Sequence, residues 1–322
     1  MIDYIYTTNY KKWATLVSSR FYRWVVPIIF VIVLICSSSH LYLHAQHKEG
    51  DIVKKYGSFV QAVAMSINPL GSIYVIDGGT SEIVKYSTSG KLLTRIGGYG
   101  WTQLSFDKPS DIITPNVIDV YVADYGNHRI QRYDRNLNYV MTLSTRERGQ
   151  TEERFGYPRS IALSKFGALF IVDGENERIL KVNNLTVVEK NFGGLSSGKG
   201  RLQKPLRIRV SENDIVYVQD GNSLLLFDIF GNYLKALGRD YFQSIFTFTI
   251  HKNKLYVLDS CSIVVFGEKG NLEEKVENIQ IRLGEKKCDI VDIGFVNENI
   301  VFLTKHNILI VRIDEVLKQR KR

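Results

Sequence analysis

The chain has 322 residues, 44% of them hydrophobic and 23% charged, with a formal net charge of +9. That composition excludes a disordered polar chain, and the length suffices for one large β domain. The charge gathers at the ends: residues 1–45 carry +3, residues 318–322 carry +4, and residues 46–317 carry only +2, so nothing points to nucleic acid as a partner.

Residues 24–36, WVVPIIFVIVLIC, are apolar without a break, and SSSHLYLHA extends the stretch to residue 45 without a formal charge. About 22 residues at 1.5 Å each span roughly 33 Å, enough for a bilayer core of about 30 Å. Trp24 and Tyr42 lie near its two ends, where interfacial aromatics belong, and Lys11, Lys12, Arg20 and Arg23 all precede it. The positive-inside rule then predicts a single-pass signal anchor over 24–45, with segment 1–23 cytoplasmic and everything after it extracytoplasmic. A cleaved signal peptide is the competing reading; the long leader and the lack of a small-x-small site speak against it. A lipoprotein reading would use Cys36, but a bulky Ile35 stands just before it.

From residue 50 onward the chain repeats itself. IYVIDGGTSEIVKYS, VYVADYGNHRIQRYD, LFIVDGENERILKVN, VYVQDGNSLLLFDIF and LYVLDSCSIVVFGEK each read as two short strands around a polar turn, anchored by Asp77, Asp124, Asp173, Asp220 and Asp259. A degenerate sixth copy, IVFLTKHNILIVRID, places Thr304 at that position. Spacings of 47, 49, 47, 39 and 45 residues, carrying strands only, indicate a propeller or similar radial array. Each repeat divides into strands a to d, from inner to outer. Pro109, Pro158 and Pro205 stand just before a strands, where a missing N–H costs nothing.

The sixth repeat lacks a good d strand, because DEVLKQRKR makes a poor one. GDIVKKYG, residues 50–57, has the Gly-to-Gly spacing of GKLLTRIG and GNYLKALG, so residues 51–56 are expected to pair onto blade six and close the ring. The propeller is thus expected over 46–317, followed by a basic tail over 318–322. Both chain ends should leave on the face of the a–b and c–d turns, close to the membrane, with the b–c and d–a loops pointing away. Anionic headgroups could attract the tail.

The b–turn–c unit preceded by P-x-x-I, as in KPSDIITPNVIDVYVADYGNHRIQRYD and YPRSIALSKFGALFIVDGENERILKV, resembles the NHL repeat. The resemblance covers residues 50–313 and is strongest in repeats two and three, at Asp124, Asn127 and Arg129 and at Asp173, Asn176 and Arg178. It implies an all-β, six-bladed β-propeller, here preceded by one N-terminal transmembrane helix. It does not fix a function, since this fold hosts scaffolds, sensors and enzymes.

The five repeated aspartates sit at b-strand ends, where a carboxylate can accept turn N–H groups or meet the arginine that begins strand c; a structural role is expected. A ring of metal ligands is the sharper alternative, but no loop gathers three or four oxygens, so neither metal nor cofactor is expected. His128, His251 and His306 fall in three blades and on two faces. A zinc lyase on this fold, such as the peptidylglycine amidating lyase that the chain distantly resembles, would need several converging histidines. No nucleophile motif or phosphate-binding loop is present, and no catalytic residue is named. Cys261, in a b–c turn, and Cys288, before the next a strand, are either a disulfide between neighbouring blades or two unrelated thiols. Asn184–Thr186 is a glycosylation sequon, relevant only in a eukaryote.

A candidate binding face remains: Trp101, Lys108, Tyr125, Arg129, Tyr157, Arg159, Arg178 and Arg207 in the d–a and b–c loops. Basic and aromatic residues there suit an unknown protein or an acidic or carbohydrate-like ligand; a solvated charged rim is the plainer reading. The sequence therefore points to a membrane-anchored binding or scaffold module. A propeller enzyme of the lyase or lactonase-like type, with a metal in its channel, is the alternative.

Overall fold

The computed structural model describes residues 52–147, 150–183, 187–237, 241–268 and 270–317. The expected anchor over 24–45, the tail over 318–322 and the sequon lie outside them. Among the described residues no helix is long and apolar enough to cross a membrane.

The described residues form six four-stranded antiparallel sheets. After an initial strand β1 (Ile52–Tyr56), blade one holds β2 (Ala62–Ile67), β3 (Ile73–Asp77), β4 (Glu82–Tyr86) and β5 (Leu92–Gly97). Blade two holds β6 (Pro109–Ile113), β7 (Asp119–Asp124), β8 (Arg129–Asp134) and β9 (Tyr139–Leu143). Blade three holds β10 (Pro158–Leu163), β11 (Leu169–Asp173), β12 (Arg178–Asn183) and β13 (Val187–Phe192). Blade four holds β14 (Pro205–Val210), β15 (Val216–Asp220), β16 (Ser223–Phe227) and β17 (Tyr233–Leu237). Blade five holds β18 (Ile245–His251), β19 (Lys254–Asp259), β20 (Ser262–Phe266) and β21 (Leu272–Val276). Blade six holds β22 (Ile290–Val296), β23 (Asn299–Thr304) and β24 (Ile308–Arg312), and takes β1 as its outermost strand.

β1 runs antiparallel to β24, from Ile52↔Val311 to Tyr56↔Ile308. The ring is closed by hydrogen bonds between the two ends of the repeat domain, which leaves β24 without a bare edge. After β24 the chain forms a short helix α2 (Ile313–Leu317), while α1 (Ile279–Arg282) lies between β21 and β22. Val316 is buried among Ile279 and Leu283, and its carbonyl accepts from Arg282 Nη1 at 2.8 Å. The chain therefore folds back against blade five after residue 313 instead of leading straight away from the turn face.

The core is six apolar clusters, one between each pair of neighbouring blades. Tyr74, Ile76 and Ile83 of blade one meet Ile112, Val122 and Tyr133 of blade two, and Val75 and Val84 of blade one meet Val301, Leu303 and Ile310 of blade six. Each middle strand thus has a neighbour on both faces. This explains why β3 and β11 are buried at every position and read as unbroken apolar runs instead of alternating ones. The outer d strands are largely exposed; β5 is the clearest case.

One irregularity recurs. In all six blades the register between strands a and b shifts just after the start of strand a: Ala62/Ala64, Pro109/Asp111, Pro158/Ile161, Pro205/Arg207, Ile245/Thr247 and Ile290/Asp292. Bulges of this kind re-aim side chains, and here they decide what lines the mouth of the central channel.

Candidate binding face and central channel

The repeated aspartates hold the loop that enters their own blade. Asp77 accepts the N–H groups of Val60 and Gln61, both at 2.8 Å. Asp124 accepts that of Asp107 at 2.9 Å and Asp173 that of Gly156 at 3.1 Å. Asp220 takes those of Gln203 and Lys204, and Asp259 those of Gln243 and Ser244. In each case the donor lies 15 to 17 residues upstream. The carboxylate ties the start of strand a to the end of strand b.

Blades two and three add an arginine. Arg129 Nε donates to Asp124 at 2.7 Å, and its other nitrogens reach the carbonyls of Trp101, Thr102 and Ser105 at 2.8, 2.9 and 2.9 Å. Asn127 bridges Asp124 and the Gly100 carbonyl, both at 2.8 Å. Arg178 repeats the clamp on Asp173 and the Arg154 carbonyl at 3.1 and 2.8 Å. Burial pushes the Asp124 carboxyl up, against the pull of Asn127, the Asp107 amide and Arg129. Two residues placed on the binding face are therefore corrected: Arg129 and Arg178 spend their donors on their own protein's loops.

What those clamps hold outward is aromatic. Trp101 is 74% and Tyr99 70% exposed, with ring centroids 5.9 Å apart. Tyr157 contacts Tyr125 at 5.1 Å and His128 at 4.1 Å. Lys108 is exposed, while Tyr125 and Arg159 are half-buried. Tyr157 and His128 both have positive φ, and the Tyr157 N–H donates to His128 Nδ1 at 3.1 Å.

That bond requires an unprotonated Nδ1. Burial first, then Arg146, holds the imidazole below the usual histidine value. A depressed histidine contributes stability that is complete above its unfolded value of about 6.5 and is lost as pH falls toward the folded one. The Tyr157 amide is therefore expected to exchange faster, relative to its intrinsic rate, near pH 5 than near pH 7, and His128→Ala to remove that difference. Hydrogen exchange read by mass spectrometry checks it; identical protection at the two pH values would contradict the assignment.

Arg207 needs the larger correction. Its side chain is only 11% exposed and pairs with the 2% exposed Asp292 at 2.5 Å inside the channel. Asp292 also accepts from Thr247 Oγ1 at 3.0 Å and from the Met65 N–H at 2.9 Å. Asp111 accepts from Arg209 at 3.0 Å, from Ser160 Oγ at 2.5 Å and from the Ile161 N–H at 3.1 Å. Ser160 Oγ in turn accepts from the Ile208 N–H, and Ser66 bonds Thr114 at 2.8 Å. These bonds link the inner strands from blade to blade. Burial opposes the charge on Asp111, but Arg209 and Arg207, with bonds from Arg209 and Ser160, hold its carboxyl below the usual range.

The sequence reading missed this network, although a signal was present. Aligned on the bulge, the inner strands read PSDIIT, PRSIAL, PLRIRV, IFTFTI and IVDIGF. Each carries a polar residue at its third position, Asp111, Ser160, Arg207, Thr247 or Asp292.

Cys261 and Cys288 are disulfide-bonded, with Cα atoms 5.9 Å apart, and tie the blade-five turn to the start of blade six. The three histidines among the described residues lie apart. His251 stacks on Phe295 with centroids 4.3 Å apart, His306 Nδ1 faces the Phe59 carbonyl at 3.1 Å, and His128 belongs to the aromatic rim. Among the described residues no three His, Cys, Asp or Glu are grouped as metal ligands.

Compared with curated proteins, the chain is 25% identical over 120 residues to the human NHL repeat-containing protein 3, covering 34% of each chain. It is 23% identical over 159 residues to the mouse protein of that name, 46% of this chain and 44% of that one. It is 24% identical over 140 residues to a probable peptidyl-alpha-hydroxyglycine alpha-amidating lyase of Caenorhabditis elegans, 41% and 40% of the two chains. The chain thus spans between a third and a half of the length of the curated relatives it matches. Among solved structures, a streptogramin B lyase superposes with TM-score 0.57 at 11% identity over 81% of this chain and 86% of that one. A catalytically inactive virginiamycin B lyase of Staphylococcus aureus with quinupristin gives 0.55 at 15% identity, over 78% and 80%. At such identities the likeness is one of fold. No family model matches. The chain is a six-bladed β-propeller whose curated relatives include NHL repeat-containing proteins.

Proposed function

We propose that this chain is a membrane-anchored, extracytoplasmic binding module that presents one loop face of its propeller to a protein partner. The observation that carries this reading is the clamped aromatic rim: Trp101 and Tyr99 stand exposed on a loop that Arg129 and Asn127 fix through four carbonyl bonds. An exposed aromatic that costs little to immobilise is the usual anchor of a protein interface. The engaged arginines turn the expectation away from an acidic ligand and toward one that buries aromatic surface. The apolar 24–45 segment supports the anchor, and the Cys261–Cys288 bond suits an oxidising compartment.

Tyr99→Ala combined with Trp101→Ala is expected to remove the partner from the complex purified from native membranes, with the melting temperature unchanged. A complex that survives the double substitution would overturn the reading. An enzyme of the lyase type is the second reading, supported by the description of the Caenorhabditis elegans relative. The polar residues at the centre of the channel, Asp111, Ser160, Arg207, Arg209 and Asp292, are engaged in ion pairs and hydrogen bonds with one another.

A further inference from the structure

We propose that the bowl at the loop-face mouth of the channel is a binding site for a small organic carboxylate with an apolar body. It encloses about 500 Å³, within the roughly 300–1,000 Å³ range of ligand sites. The recurring bulge builds its wall: the residues it re-aims in blades two to six, Ser110, Arg159, Leu206, Phe246 and Val291, all line the bowl. Three of the five are apolar, and Phe246 is 47% exposed there.

Arg159 is the one cation of that ring. Its Nη1 donates to the Pro205 carbonyl at 3.0 Å, and among the described residues no carboxylate lies within 4.0 Å of it. Room for it comes from Gly174, where a Cβ would sit 2.9 Å from Arg159 Nε and 2.5 Å from the Tyr157 carbonyl. Two of the bowl's four other charged residues are held in ion pairs. Arg207 is held by Asp292 and Asp111 by Arg209, while Lys305 and Asp289 face the bowl with opposite sign. A half-buried guanidinium with donors to spare, beside an apolar wall, suits a planar carboxylate taken by two parallel bonds, its apolar body lying against Leu206, Phe246 and Val291.

The site is separate from the aromatic rim and is tested separately. Calorimetric titration of the full chain with 3-phenylpropionate is expected to show saturable binding at least tenfold tighter than that of 3-phenylpropanol or acetate. Arg159→Gln should weaken 3-phenylpropionate at least tenfold with the melting temperature unchanged. Phe246→Ala, at an exposed position, should weaken it severalfold, and Trp101→Ala should leave it intact. Absence of saturable binding, equal binding of the alcohol, or wild-type affinity in both Arg159→Gln and Phe246→Ala would overturn the proposal.

Discussion

Replacing Asp292 by alanine is expected to cost about 3–5 kcal/mol of stability, the usual consequence of leaving one partner of a buried ion pair behind. Asp292 is buried, and its loss strands the Arg207 guanidinium, the Thr247 hydroxyl and the Met65 N–H together. Those groups belong to blades four, five and one, so the damage should spread beyond blade six. Asp292→Asn keeps the shape and one acceptor, and should lose clearly less than the alanine variant. Urea titration of the full chain followed by circular dichroism measures both. A loss under about 1 kcal/mol for the alanine variant would show that the channel pair contributes specificity and little stability.

The second large effect is expected from β1. Replacing residues 52–56 by Gly-Ser-Gly-Ser-Gly keeps the chain length but removes strand propensity and the Tyr56 side chain, which packs 5.5 Å from Tyr86. β24 then becomes a bare edge, with its backbone groups open to water or to other chains. Amide protection at Ile308 and Ile310, whose N–H groups face β1, should fall by orders of magnitude, and the protein should aggregate on mild heating. Unchanged protection there would mean that blade six stands without its fourth strand.

Much of the architecture was legible because the repeats say the same thing six times. The aspartates and their spacing mark five of the six b strands, and the Gly-to-Gly spacing of residues 50–57 describes the strand that pairs from Ile52↔Val311 to Tyr56↔Ile308. What local sequence cannot convey is which neighbour a charged side chain meets. Arg129 and Arg207 look alike in sequence, each next to a loop rich in polar residues. One clamps carbonyls 24 to 28 residues upstream; the other reaches a carboxylate 85 residues downstream, across the channel. Arg159, two residues from an exposed tyrosine, reads as the same kind of residue, yet it faces the bowl. A propeller brings together strands that lie far apart in the chain, so inner-strand chemistry emerges only when the ring closes. Aligning the inner strands on their bulge recovers part of it, because Asp111, Ser160, Arg207, Thr247 and Asp292 then share one row.

The most direct test of a partner on the loop face is site-specific photocrosslinking in native membranes, with a benzophenone amino acid at Trp101 or at Phe166. Both positions are highly exposed, at 74% and 78%, but Phe166 lies in an a–b turn on the opposite face. The account predicts a discrete adduct from position 101 and none from position 166. Adducts of equal yield from both, or from position 166 alone, would contradict it.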